Sequence, residues 1–150
     1  MNHILIKPGD AYYIPAGTIH AIGKGCFILE IQQNSNLTYR VYDYGRRDKN
    51  GNLRELHIKK ALDVLDLRKM EPFNMRELPA IKNKPFFARE VENIKGIEAT
   101  KESFTAMTIL SGNGFVDDIP FSKGDTFFVP AGEKAEIKGK FKAYIYSIDE

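Results

Sequence analysis

The sequence predicts a mainly β protein: two β units with one amphipathic helix between them. Three observations carry this reading. Short runs rich in β-branched and aromatic residues alternate apolar with polar positions and are punctuated by Gly, Pro and Asn. Only one stretch, from about Leu56 to Leu67, places apolar residues at helical spacing, with Ile58, Ala61, Leu62 and Leu65 on one stripe. A turn–strand–turn–strand pattern also occurs twice. Gly9-Asp10, Pro15-Ala16-Gly17 and Ile22 recur as Gly124-Asp125, Pro130-Ala131-Gly132 and Ile137, each 115 residues further on.

Taken in order, the first copy is a β-hairpin. Gly9-Asp10 forms a turn, Ala11 to Ile14 a strand, Pro15-Ala16-Gly17 a second turn, and Thr18 to Ile22 the returning strand. Alternation puts Thr18, His20 and Ile22 on one face and Ile19 and Ala21 on the other, so His20 points either into a barrel or out of it. Gly23-Lys24-Gly25 turns again into Cys26 to Gln33, where Glu30 and Gln32 share a face. Thr38 to Tyr44 is a strongly β-prone strand with Thr38, Arg40, Tyr42 and Tyr44 on one side. A polar loop follows, with Asn50-Gly51 suited to a tight turn of positive φ. The helix comes next and is expected to pack on the outside of a sheet.

From Arg68 to Pro85 three prolines interrupt regular pairing, which reads as a linker with the unit boundary near residue 80. Beyond it, Phe86 to Val91, Phe104 to Leu110, Thr126 to Val129, Ala135 to Ile137 and Lys142 to Ile148 are expected to be strands of a second β unit. The second hairpin keeps the turns but carries Ala135 where the first has His20.

Composition bounds the function. A chain of 150 residues buries roughly two-thirds of its unfolded surface on folding. A net charge of +2 with 28% charged residues gives no electrostatic footprint for nucleic acid or a membrane surface. The single cysteine, Cys26, has no internal disulfide partner, and no apolar run approaches the ~20 residues of a membrane span or the layout of a signal peptide. A cytoplasmic setting is the expectation. Met1 to Ile6 has strand character without a run-in, so the chain is expected to begin in mid-sheet with an open edge.

The spacing Gly9-x5-Pro15-x-Gly17-x2-His20 resembles the second conserved motif of the cupin superfamily; the motif's final Asn is replaced by Lys24. Three longer stretches narrow the resemblance: Ala16 to Ile22, Leu29 to Arg46, and Leu53 to Asp63 are similar to type I mannose-6-phosphate isomerases of the short bacterial form. The likeness is strong over about the first 70 residues and weak beyond. It implies a cupin-like double-stranded β-helix, present as a bicupin remnant. Residues 1–67 would be the C-terminal part of a metal-bearing barrel with a trailing helix, 68–85 a linker, and 86–150 a metal-free C-terminal barrel.

The resemblance further implies zinc-dependent interconversion of mannose 6-phosphate and fructose 6-phosphate through an enediol. Negative charge then develops on two neighbouring oxygens, which a Lewis-acidic metal and an opposing guanidinium both stabilise. By the same resemblance His20 is a metal ligand and Arg40 the active-site arginine, whose planar fork holds an oxyanion bidentately. Glu30 is either a polar or proton-handling group of the pocket or half of a sheet-edge salt bridge. Arg46, Lys49 and Lys24 are candidates for the sugar phosphate, against the commoner role of a solvated basic loop. His57 reads as a helix-end or surface residue, and His3 carries no spacing signal.

One departure limits the activity expected of this chain. The family's other ligands, a Gln or His two residues before a His and then a Glu, precede the cupin motif, and no such pattern occurs here. Catalytic zinc sites use three protein ligands and a water. The expectation is therefore a C-terminal isomerase half, silent alone, completed by an N-terminal half or associating with itself through the open sheet edge. The competing readings are a non-catalytic cupin-like sugar-binding or assembly module, and a small metal-dependent cupin with ligands shared across a homodimer.

Overall fold

In the computed structural model the described residues are 2–68, 81–83 and 86–148, with only the backbone described for 81–83. The chain divides into two units, Met1–Arg76 and Glu77–Glu150.

The second unit is an antiparallel sheet built on two long strands. Its elements are β1 (Ile81–Asn83), β2 (Phe86–Glu92), β3 (Gly96–Glu98), β4 (Thr105–Val116), β5 (Ile119–Phe121), β6 (Thr126–Val129) and β7 (Lys134–Ser147). The strand order is β1-β2-β7-β4-β5, with β3 pairing β7 and β6 pairing β4. Strands β4 and β7 run together from Thr105↔Ser147 to Val116↔Ile137, with an irregularity between Ile109 and Ser111. Shorter strands add at opposite ends of this pair: β6 at Thr105 to Thr108 and β5 at Gly114 to Val116 on β4, β3 and β2 at the two ends of β7.

Period-two alternation decides what this sheet covers. Ile137, Phe141, Ala143 and Ile145 of β7 face Met107, Ile109, Val91, Ile97, Phe121 and Val129 in one buried cluster. Met107 and Ile109 are fully enclosed, and Phe121 meets Phe141 edge-on at 5.3 Å between ring centroids. No titratable side chain belongs to this cluster. The unit is a packed core, and its volume is filled by hydrocarbon.

Several strands are longer than the sequence suggests. Ala135 to Ile137 and Lys142 to Ser147 belong to one strand, with Ile148 just beyond it, because Gly139, with φ +141, continues the ladder opposite Gly114. The reason for glycine there is space: a Cβ on Gly114 would lie 2.0 Å from the Lys138 carbonyl oxygen. Within the stretch read as a linker, 81–83 pairs with β2; 69–80 and 84–85 lie outside the described residues.

The first unit differs from expectation. Among its described residues the named element is a helix, α1 (Ile58–Val64); the runs 11–14, 18–22, 26–33 and 38–44 form no regular strand. Strand formation rests on packing and pairing more than on intrinsic preference, and among the described residues of this unit pairing does not extend beyond isolated bridges. Among the described residues of this unit the helix therefore has no sheet to pack on. Helix α1 is also shorter than 56–67. His57 occupies its N-cap, and Leu65 is already extended at φ −65, ψ 132. Ala61 is its buried residue, while Ile58 and Leu62 are exposed.

Candidate functional site

The first hairpin is defined by its turns. Lys7 N–H donates to Asp10 Oδ2 at 2.8 Å, Asp10 N–H returns to the Lys7 carbonyl at 3.1 Å, and Gly9 takes φ +90. This is an aspartate satisfying the backbone of its own turn, a role that needs a short carboxylate and a residue free to adopt positive φ. At the far turn, Thr18 N–H donates to the Pro15 carbonyl at 3.1 Å and Gly17 takes φ +83. The Gly17 carbonyl accepts from Asp66 N–H at 2.9 Å, so this turn is tied to the C-terminal end of α1.

His20 lies on the returning arm and is exposed. Its Nδ1 is 2.9 Å from the Thr18 carbonyl oxygen, which can only accept, so Nδ1 carries the proton. A neutral imidazole held this way keeps its lone pair on Nε2, the arrangement typical of metal-ligating histidines. The remaining donors of a metal site do not accompany it: among the described residues no group of three or more His, Cys, Asp or Glu side chains is placed to hold a metal ion. His20 therefore fits one ligand, and these residues do not make a zinc site by themselves.

The second hairpin shows which way this position faces when a sheet is complete. Ser122 N–H donates to Asp125 Oδ2 at 2.7 Å and Glu133 N–H to the Pro130 carbonyl at 3.1 Å, matching the first copy bond for bond. Ala135, the counterpart of His20, packs against the buried cluster, and Ile137, the counterpart of Ile22, is 3% exposed. The His20 face of this hairpin is thus the interior face where the hairpin is built into a ladder.

Arg40 is half-buried and held by its backbone. Its N–H donates to His57 Nδ1 at 3.2 Å, and its carbonyl accepts from His57 N–H at 2.7 Å. Glu30 is exposed. No hydrogen bond or ion pair among the described residues joins His20, Glu30 and Arg40 to one another. The basic candidates separate. Arg46 pairs with Asp43, a carboxylate only 5% exposed, and its guanidinium lies 5.9 Å from the centre of the Tyr44 ring. Arg54 Nε lies 3.2 Å from the other Asp43 oxygen, which gives charge compensation without hydrogen-bond alignment. Lys49 sits at the exposed tip of the 47–53 loop, where Asp48 Oδ1 accepts from Asn50 N–H and Asn52 N–H. Lys24 is exposed in the Gly23-Lys24-Gly25 turn.

Asp43, Arg54 and the reach of His57 to Arg40 are absent from the sequence reading. A carboxylate flanked by Tyr42 and Tyr44 with Arg46 three residues on was the available signal for Asp43. Among the described residues the clearly shifted carboxylate is elsewhere: hydrogen bonds from the Arg68 side chain and backbone lower Asp66 to about 2. It pins the chain leaving α1, where Arg68 Nη2 lies 2.6 Å from Asp66 Oδ2. No helix among the described residues is long and apolar enough to cross a membrane.

No protein-family model matches the chain. Curated relatives do. It is 35% identical to the mannose-6-phosphate isomerase ManA of Bacillus subtilis, aligned over 98% of this chain and 50% of that protein. It is 36% identical to the mannose-6-phosphate isomerase of Streptococcus mutans, over 87% of this chain and 46% of the relative. The crystal structure of the Bacillus subtilis mannose 6-phosphate isomerase superposes with a TM-score of 0.56 at 28% identity, covering 76% of this chain and 41% of that one. The chain spans about half the length of the curated relatives it matches. Its mainly β, antiparallel architecture agrees with a cupin-like fold. By sequence and by fold, and over about half of their length, this chain belongs to the mannose-6-phosphate isomerases.

Proposed function

We propose that this chain carries the His20 and Arg40 portion of an aldose–ketose isomerase site acting on mannose 6-phosphate and fructose 6-phosphate. In this reading 1–67 is the C-terminal part of a metal-bearing cupin barrel, 86–150 is a metal-free barrel, and the segment between them is a connector. The observation that carries it is the repeat. The position of His20 is the inward-facing one in the hairpin copy that is built into a sheet, as Ala135 shows. A first unit completed by further strands would turn His20 Nε2 to the interior.

Zinc is the metal of this proposal, and it needs ligands beyond His20. An upstream portion of an isomerase, as a separate chain or as part of a longer one, supplies them. Within this chain, Arg40 stabilises the negative charge of the enediol by a fixed, permanently charged fork. Glu30 is the group on hand to handle a proton, and Arg46, Lys49 and Lys24 are the cations available to the sugar phosphate. Of these, Lys49 and Lys24 fit that role better, since Arg46 already neutralises Asp43. The setting is cytoplasmic.

The test is complementation. The purified chain with Zn²⁺ is expected to be inactive, and mixing it with the N-terminal half of ManA is expected to give isomerase activity. In the mixture Arg40→Ala lowers kcat by about 10²–10³-fold, the scale for one lost oxyanion-stabilising group. Robust activity of the chain alone overturns the half-site reading. One observation favours a second reading, an assembly module. Among the described residues, every exposed large apolar side chain except Phe115, Ile119, Phe128 and Ile148 belongs to the first unit. Sugar-phosphate binding unchanged by His20→Ala, in a stable homo-oligomer, would select that reading.

A further inference from the structure

The chain's own bonds connect the two residues on which the proposed function depends. Helix α1 touches the His20 hairpin at one end, where Asp66 N–H donates to the Gly17 carbonyl at 2.9 Å. It touches the Arg40 segment at the other, where His57, the N-cap residue, bonds Arg40 twice. A helix of this length, Ile58–Val64, is a rigid spacer of about 10 Å at 1.5 Å per residue.

The contact at Arg40 has an unusual form. A backbone N–H can only donate, so at 3.2 Å the His57 Nδ1 must present its lone pair. The imidazole proton is then on Nε2, on the side where the Glu55 carboxylate stands 3.7 Å away. Meanwhile His57 N–H donates to the Arg40 carbonyl at 2.7 Å. The pair reproduces the two reciprocal bonds of an antiparallel ladder, with an imidazole nitrogen standing in for one carbonyl. The His57 ring is mostly enclosed, with 16% of its side chain exposed, and lies 6.0 Å from the Tyr39 ring. Its orientation is therefore set from three sides: Arg40, Tyr39 and Glu55.

We infer that His57 is a positioning residue for Arg40: as the Nε2–H tautomer it fixes the Arg40 backbone to the start of α1. Helix α1 in turn holds the spacing between Arg40 and the turn before His20. This rests on the isomerase reading for its catalytic consequence, and on geometry alone for the tautomer and the clamp.

The experiment has two arms. In the full chain labelled with ¹⁵N, long-range ¹H–¹⁵N spectra read the His57 tautomer, and amide exchange reads the Arg40 N–H. The expected result is an unprotonated Nδ1 and a slowed Arg40 amide. His57→Asn, whose Oδ1 can take the place of Nδ1 as acceptor, keeps that protection, and His57→Leu loses it. A proton on Nδ1 in the parent chain, or equal protection in His57→Leu, overturns the clamp whether or not any variant is active. In the complemented isomerase, His57→Leu is expected to lower kcat about tenfold with KM little changed, and His57→Asn to restore it to within about threefold. Equal kcat in all three removes the positioning role. Absence of activity in every mixture, with the tautomer as expected, removes the isomerase reading and leaves the clamp standing.

Discussion

The molecule holds the same hairpin twice in two different circumstances. Gly9 and Gly124 take φ +90 and +96, and Gly17 and Gly132 take +83 and +77. Asp10 and Asp125 each accept from the backbone N–H three residues before them. Yet 126–129 is strand β6, paired with β4, whereas 11–14 forms no regular strand. The turns are the same because their causes are local: a short carboxylate, a proline and a glycine within a few residues. The strands differ because a strand is a property of its neighbours, and the second copy is built into a continuous ladder. Thr108 and Ala106 of β4 supply them there.

Ile14 and Val129 are counterparts, and truncating each should separate the two hairpins most strongly. Val129 is 5% exposed in the core, and Val129→Ala is expected to destabilise the second unit by about 2 kcal/mol in urea unfolding. Ile14 is 43% exposed, and Ile14→Ala in the same assay is expected to change stability by less than about 0.5 kcal/mol. In the complemented isomerase the cost of Ile14→Ala should rise towards that of Val129→Ala. Similar large effects for both residues in the chain alone would mean the first hairpin is already packed.

The paired glycines give a smaller contrast of opposite sense. Both have positive φ, so alanine costs about 1 kcal/mol of backbone strain at either. At Gly17 an added Cβ would also lie 2.8 Å from the Val64 carbonyl oxygen, while at Gly132 it meets nothing within 4 Å. Gly17→Ala should therefore cost about 2 kcal/mol and loosen the end of α1, seen as lost helical circular dichroism; Gly132→Ala should leave that signal unchanged. Equal effects would show that the Gly17–α1 contact does not bear on stability.

The smallest effect expected is the pH response of that same junction. Asp66 is lowered from 3.8 to about 2 by its bonds to Arg68. A depressed carboxylate contributes stability that is complete above its unfolded value and is lost as pH falls through its folded one. The helix signal should thus weaken between about pH 4 and pH 2, less so at high salt because the pair is exposed, and not in Asp66→Asn. The same acid transition in Asp66→Asn would assign it to another group.

What the sequence disclosed follows the same division between local and non-local causes. Both pairs of turns, the Asn50-Gly51 turn and the existence of the helix were legible, since neighbouring residues determine them. The full lengths of β4 and β7 were hidden because Gly112, Gly114 and Gly139 look like breaks, when their lack of a side chain is what lets the two strands approach. The Asp43–Arg54 pair and the His57–Arg40 bonds join residues 11 and 17 positions apart across a loop, with no periodicity to announce them. For the candidate site, the histidine and the arginine were visible as members of a family pattern. How Arg40 is held, and which nitrogen His20 leaves free, came only from three-dimensional geometry.

That the first hairpin becomes a full ladder only in the completed isomerase can be read by residue-resolved amide hydrogen exchange, on the chain alone and mixed with the N-terminal half of ManA. Residues 124–137 are expected to be protected in both samples. Residues 9–22 should be much less protected than 124–137 in the chain alone and gain protection in the mixture, in step with the appearance of isomerase activity. Full protection of 9–22 in the chain alone, or activity arising without any gain there, would contradict it.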